Sequence, residues 1–291
     1  HLLLEPISLE ETLEYRIFVR FFPLEKRDGA NPHLSEFREE FDRSLHGYVS
    51  RLISYQEDAE QVVAHAVREV LGMPKSALSD DEAISSVVDP EENPYLGSPL
   101  DLASLSKLMR VLNHPFYTFR KKLSHTADSQ DQRHRMTPAS RPALLLHFDE
   151  QPDYLIPPLV LESKEAQMIF QETMERVWEK MVRLLKAGAK REYVQYLLPN
   201  AFPIRFTESA NFLYLLHKLV QRLCINAQEE IWRASREEAM QIRQVHPRLG
   251  RYLLAPCGVR QRAGITPYCT EGKRYCGIPV WNYPLEEYTR P

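Results

Sequence analysis

Residues 129–144, SQDQRHRMTPASRPAL, put Gln130, Arg133, His134, Arg135, Ser140 and Arg141 within a dozen positions. Two guanidiniums so close suit a phosphate or diphosphate, because each offers a planar, permanently charged fork of donors. In an extended segment Arg133 and Arg135 project to one side and His134 to the other. A solvated basic loop or a nucleic-acid patch reads from the same letters. The chain has no glycine-rich phosphate loop and no dinucleotide fingerprint, so a nucleotide here needs another cradle.

A second set lies in residues 207–245. At helical spacing Phe212, Leu216, Leu219, Val220, Leu223, Ala227 and Ile231 form an apolar stripe. Asn211, Lys218, Arg222 and Glu229 share the other side, flanked by His217, Gln221 and Gln228. Asn211 and Arg222 lie eleven residues apart, close to three turns, and point the same way. This side is either a solvated face or the wall of a ligand groove.

His246, Cys257, Cys269 and Cys276 carry the atoms of a zinc site, but their separations of 11, 12 and 7 residues contain no CxxC pair. We assign no metal and read these cysteines, with Cys224, as ordinary thiols. There is no GxSxG and no HExxH.

These residues need elements to position them. Strand composition marks 14–25, 48–55 and 142–148, with shorter extended candidates at 115–123, 192–199 and 202–207. Helical patterns cover 35–48, 56–72 with Gly72 as terminator, a short piece over 102–114, and 163–189. The last is capped by Ser163, with Met168, Met174, Val177, Met181, Leu184 and Leu185 on its apolar face. A helix from Thr207 as cap to about Val245 stops at Pro247. Residues 26–32, 148–158 and most of 73–104 read as loop. Long helices among short scattered strands give an α+β class.

The 291 residues suffice for a full core. A net charge of −3 argues against a general nucleic-acid binder, and no apolar run reaches the roughly 20 residues that cross a membrane. Four cysteines suit a reducing cytoplasm better than a disulfide scaffold.

Six pieces in order resemble the flavin-dependent thymidylate synthases (ThyX): VSRLISYQEDAEQVVAHAV, NHPFYTF, QDQRHR, KREYVQYLLP, NFLYLLHKLVQRLCINAQEEI and CTEGKRYCG. The resemblance spans most of residues 48–278 and leaves 1–47 as an N-terminal extension or the end of a preceding domain. Residues 48–291 would form the flavin- and nucleotide-binding domain. The resemblance implies a mostly antiparallel sheet flanked by long helices, assembled as a homotetramer. It also implies reductive methylation of dUMP at C5, using FAD, NADPH and methylenetetrahydrofolate. By matching positions, Arg133, His134, Arg135, Asn211 and His217 would contact FAD. Gln130, Arg133, Ser140, Arg141 and Gln195 would approach the nucleotide, and Arg222 would stabilise the ionised pyrimidine. Departures are equally specific. The Asn-Glu pair and the Tyr that follow the family's Arg-His-Arg are absent, and Leu108, Arg110, Gln195 and Leu213 replace a His, a Ser/Thr and two Arg. A non-catalytic copy of the fold, kept as a structural or regulatory subunit, is the alternative.

Overall fold

The computed structural model describes residues 13–21, 31–98 and 105–290. In chain order its elements begin with α1 (Leu13–Phe21), α2 (Leu34–Ser44), β1 (Ser50–Tyr55), α3 (Ala59–Leu71), α4 (Asp80–Val88), β2 (Phe116–Ser124), α5 (His125–Asp131) and β3 (Ala139–Ser140). There follow α6 (Pro158–Leu161), α7 (Lys164–Lys186), α8 (Arg191–Val194), β4 (Pro203–Asn211), α9 (Phe212–Arg222), α10 (Glu229–Val245), α11 (Pro247–Gly250) and α12 (Pro256–Arg262). The class is α+β, with one four-stranded sheet in the order β1-β2-β4-β3. β1 runs antiparallel to β2, and β3 antiparallel to β4.

The chain divides into two compact units, one of residues 1–41 and 142–203, the other of 42–141 and 204–291.

In the first unit α7 buries Met174, Trp178 and Met181, which recur at helical spacing on one face. Trp178 stacks on Phe202 at 6.5 Å and meets Tyr154. Met168 and Leu184, expected on that face, are exposed. Arg38 bridges Asp149 and Asp153 at 3.2 and 3.1 Å. Arg191 lies over the Phe148 ring, and burial lowers its pKa to about 10.

The second unit holds the sheet. Its core joins α3, α4, β2, α9 and α10 through residues such as Val63, Val87, Tyr117, Phe212, Leu219 and Ile242. α10 covers the edge strand β1 and satisfies its backbone with side chains. Glu237 accepts from the N–H groups of Val49 and Ser50 at 2.7 and 3.0 Å, and Gln241 bonds both Leu52 N–H and Ser50 C=O at 2.8 Å. An edge closed in this way offers no free ladder to another chain. Gly72 ends α3 with φ +65°, a conformation that suits a residue without Cβ.

Several elements differ from their sequence reading. Residues 13–21 form a helix, not a strand; 22–25 and 26–30 lie outside the described residues. Residues 144–146 and 195–197 are 3-10 turns and 191–194 a helix, where strands were expected. Short apolar runs do not distinguish the two periods. The expected loop 73–104 contains α4 and a 3-10 turn at Pro94–Gly97. α4 opens with a reciprocal capping box between Ser79 and Glu82. The short helix over 102–114 is a 3-10 turn at Met109–Asn113, with 102–104 outside the described residues. The long helix is two helices, and Thr207 lies in β4. Asn211 is the true cap: its Oδ1 accepts from Tyr214 N–H at 3.0 Å, and its Nδ2 donates to Asn113 at 2.9 Å. Asn211→Ala is expected to cost about 1 kcal/mol of unfolding free energy in a urea titration.

Candidate active site

β4 runs straight into α9, so the side chains of α9 are set by the sheet. α9 buries Phe212, Leu215, Leu216 and Leu219 and turns His217, Gln221 and Arg222 towards a cavity of about 430 Å³ within the second unit. Leu213, Leu216 and Val220 supply apolar wall. His217 and Gln221, one turn apart, are 3.2 Å apart at their side-chain nitrogens.

α5 brings the basic run to this helix. It is capped by Ser124, whose hydroxyl accepts from Ala127 N–H at 3.2 Å. After Asp131 the chain turns tightly: His134 N–H donates to Asp131 C=O at 3.1 Å, and Thr137 donates to His134 C=O from backbone and hydroxyl at 3.1 and 2.8 Å. Arg133, His134 and Arg135 thus occupy a coiled turn, not an extended segment, and the expected alternation of their directions does not apply. Arg222 Nη2 donates to Gln130 C=O at 3.0 Å, which ties the C-terminal turn of α9 to the end of α5. Its Nε is buried and has no partner among the described residues. Burial lowers the Arg222 pKa, and Arg133 lowers it further while Asp131 opposes both.

His134 meets His217 edge-on at 6.0 Å. Burial, then the charges of Arg222 and Lys218, bring its pKa down to about 4. The imidazole is neutral at pH 7. Its folded value lies below the ordinary 6.5, so its contribution to stability is full above about pH 6.5 and is lost as pH falls towards 4. His134→Asn is expected to flatten stability over that window, read from denaturant midpoints at pH 4.5 and 7.

Beneath these groups lies a cluster that the helical wheel misplaces. Lys218 was read onto a solvated or ligand-facing side; it is fully buried. Its ammonium pairs with Asp131 at 3.0 Å and with Glu208 of β4. Lys121 of β2 meets Asp131 at 3.2 Å, Glu208 at 3.4 Å and Glu238 of α10 at 2.7 Å, and Ser50 donates to Glu238. Burial pushes the Asp131 carboxyl up, but two ammonium groups outweigh it and hold the group well below the carboxylate range. Glu208 goes the other way: burial raises it, the lysines only partly reverse that, and its Oε2 has no partner.

The remaining predicted residues are placed apart from this convergence. Arg135 and Ser140 are exposed, Ser140 in β3 opposite Thr207. Arg141 is engaged by Asp128, its Nε 2.9 Å from both carboxylate oxygens, while its guanidinium lies 5.0 Å from the Phe206 ring and its Nη2 is buried without a partner. Asn211 is used in capping at the far end of α9. Gln195 belongs to the other unit, where it donates to Glu192 C=O at 3.0 Å. Arg110 is exposed, and Leu213 faces the cavity.

The profile of the family described as thymidylate synthase complementing protein (Thy1) matches residues 51–248. The chain belongs to the Thy1 family. The match includes β1, the Arg-His-Arg turn and both α9 and α10. Proteins named flavin-dependent thymidylate synthase are similar to it. That of Sulfurisphaera tokodaii is 29% identical over 214 residues, covering 72% of this chain and 79% of the relative. That of Saccharolobus solfataricus is 27% identical, with 72% and 78% covered. That of Clostridium tetani is 25% identical over 248 residues, 79% of this chain and 94% of the relative.

Cys224, two residues past α9, and Cys257, Cys269 and Cys276 border the same cavity. His246 does not: its Nδ1 is 2.9 Å from Tyr117 Oη, between the Tyr117 and Tyr55 rings. His246 therefore lies apart from the three cysteines with which the sequence pairs it. Sequence reasoning placed Cys224 in a helix and had no signal that it borders the same cavity as the other three.

Proposed function

We propose that the protein is a flavin-dependent thymidylate synthase, methylating dUMP or a related uracil nucleotide at C5. The observation that carries this is the convergence of Arg222, Gln130, Arg133 and a neutral His134 at one end of α9, in a chain of the Thy1 family. The cavity suits a flavin: apolar side chains of α9 match the faces of a planar ring, and the unpartnered Nε of Arg222 and the nitrogens of His217 and Gln221 match its polar edge. Bound there, FAD would supply hydride, taken from NADPH, and methylenetetrahydrofolate the one-carbon unit.

In this reading Arg222 places a permanent positive charge where the pyrimidine ring becomes anionic on activation at C5. A guanidinium does this without losing its proton, and a half-buried one does it more strongly than in water. Gln130 fixes the guanidinium through its carbonyl. Arg133, exposed beside it, provides charge for the phosphates of flavin or nucleotide, with His134 as a neutral hydrogen-bonding ring. Arg141 and Ser140 take the place of the family's missing phosphate clamp, with Asp128 partly neutralising Arg141. We further propose a homotetramer, in which partner copies complete the site, and a cytoplasmic location; among the described residues no helix is long and apolar enough to cross a membrane.

The test is an absorption spectrum of protein incubated with FAD and desalted, followed by dUMP-dependent NADPH oxidation. Retained flavin with dUMP-dependent turnover is expected. Protein that retains no flavin even with dUMP present would overturn the enzymatic reading and leave a fold put to structural use.

A further inference from the structure

We infer that Glu208 and Glu238 hold one proton between them in the folded protein, and that this buried pair positions the turn carrying Arg133 and His134. Five ionisable groups meet beneath that turn. Lys121, Lys218, Asp131, Glu208 and Glu238 are each no more than 1% exposed, so water does not screen them. Lys121 meets Glu238 at 2.7 Å, Asp131 at 3.2 Å and Glu208 at 3.4 Å, while Lys218 meets Asp131 at 3.0 Å and also Glu208. Two ammonium groups therefore face three carboxyls. With all five ionised, one negative charge would stay uncompensated in the interior, where an unpaired charge is strongly destabilising.

The unpartnered atoms point to the proton's place. Asp131 uses both oxygens on lysines, Oδ1 on Lys218 and Oδ2 on both Lys121 and Lys218. Each glutamate instead leaves its Oε2 buried with no hydrogen-bond partner among the described residues. The two glutamates meet at one nitrogen, since the Oε1 of each lies against Lys121 Nζ. When two carboxyls share a site, ionising both is unfavourable, and the proton belongs to the pair.

No neighbouring element brings a third positive charge into contact. β1 adds the Ser50 hydroxyl, which donates to Glu238 at 2.7 Å. α5 adds Asp128, engaged by Arg141, and α9 adds Arg222, half-buried and bonded to Gln130 C=O. α10 adds Glu237, which takes the N–H groups of Val49 and Ser50. The turn adds His134, which is neutral at pH 7. Burial raises Glu208 above the ordinary carboxylate value, in the direction the charge count requires.

The link to the turn is short. Asp131 ends α5, and its carbonyl takes the His134 N–H at 3.1 Å. With the proton in place, two lysines balance two carboxylates and Asp131 is held fast. Without it, the added negative charge competes for the lysines that fix Asp131, and the turn loosens.

The experiment is infrared spectroscopy of the full chain in ordinary and heavy water. A protonated carboxyl has a C=O stretch above the amide band, which a carboxylate lacks. One such band is expected at neutral pH, and it should vanish in Glu208→Gln and in Glu238→Gln. Glutamine has the shape of the protonated acid, so each single variant should unfold in urea near the wild-type midpoint. The double variant leaves two ammonium groups on one carboxylate and should unfold much earlier. A carboxyl whose folded value is raised loses its stabilising contribution as pH rises through that value. Above about pH 7 the wild-type midpoint should therefore fall with rising pH, and either glutamine should flatten the fall. Flavin retention should follow the same pattern; only this readout rests on the flavin reading, and protein without flavin leaves the band and the midpoints to decide. A wild type without the band, a band that survives both single variants, or single variants as unstable as the double overturns the inference.

Discussion

Arg222→Ala is expected to lower kcat for dUMP-dependent NADPH oxidation by about 10²–10³-fold, the usual effect of removing one charge-stabilising donor. The guanidinium is half-buried, one nitrogen is fixed on Gln130 C=O, and Nε has no protein partner. A donor left unpaired in a buried place costs free energy in the resting protein and is available when a ligand brings an acceptor. Flavin retention should survive the change, because His217, Gln221 and the apolar wall remain. Arg222→Lys is expected to recover little: an ammonium cannot bond Gln130 and a ring at once in the same plane. Steady-state kinetics decide the point. A rise in KM with kcat unchanged would mean that Arg222 only binds nucleotide, and would remove it from the chemistry.

Lys218→Met is expected to destabilise the fold by about 3–5 kcal/mol, because it leaves Asp131 and Glu208 facing each other with one lysine between them. At about 2–4 °C per kcal/mol for a chain of this size, Tm should fall on the order of 10 °C. Flavin binding should weaken as well, since Asp131 begins the turn that carries Arg133 and His134. The double change Lys218→Met with Asp131→Leu removes a charge of each sign and should regain part of the loss; strict additivity of the two would deny that the residues are coupled. The pH dependence has a definite sign. Asp131 is held below the ordinary carboxylate value, so its contribution is present above about pH 4 and is lost only as pH falls through its lower folded value.

How much of this was legible depends on what each residue's signal depends on. The α3 and α7 helices and the β1 and β2 strands are local, and they were read correctly; the family resemblance is matched over residues 51–248. Arg133, His134, His217 and Arg222 were singled out by residue type and spacing, and the structure brings them together near one end of α9. α4 was missed although Ser79-Asp80-Asp81-Glu82 spells a capping box, because an acidic, serine-containing stretch also reads as loop. Lys218 was misplaced for a deeper reason. A helical wheel assumes one buried face, whereas α9 is covered on two, and the second cover consists of charges from β2, β4, α5 and α10. Of the partners of Lys218, Glu208 sits on a strand that the sequence reads as helix, and Asp131 lies 87 residues away, so the helical pattern encodes neither. Cys224 was passed over for the same reason.

The direct passage from β4 into α9 constrains the family's history as well as its geometry. Asn211 is the last residue of the strand and the cap of the helix, so no intervening loop absorbs a change of length. One residue inserted between Phe212 and Gln221 would turn everything after it by about 100° and carry Arg222 off the Gln130 carbonyl. Gaps in this span should therefore be absent from active relatives, and length variation should collect in the segments outside β4 and α9.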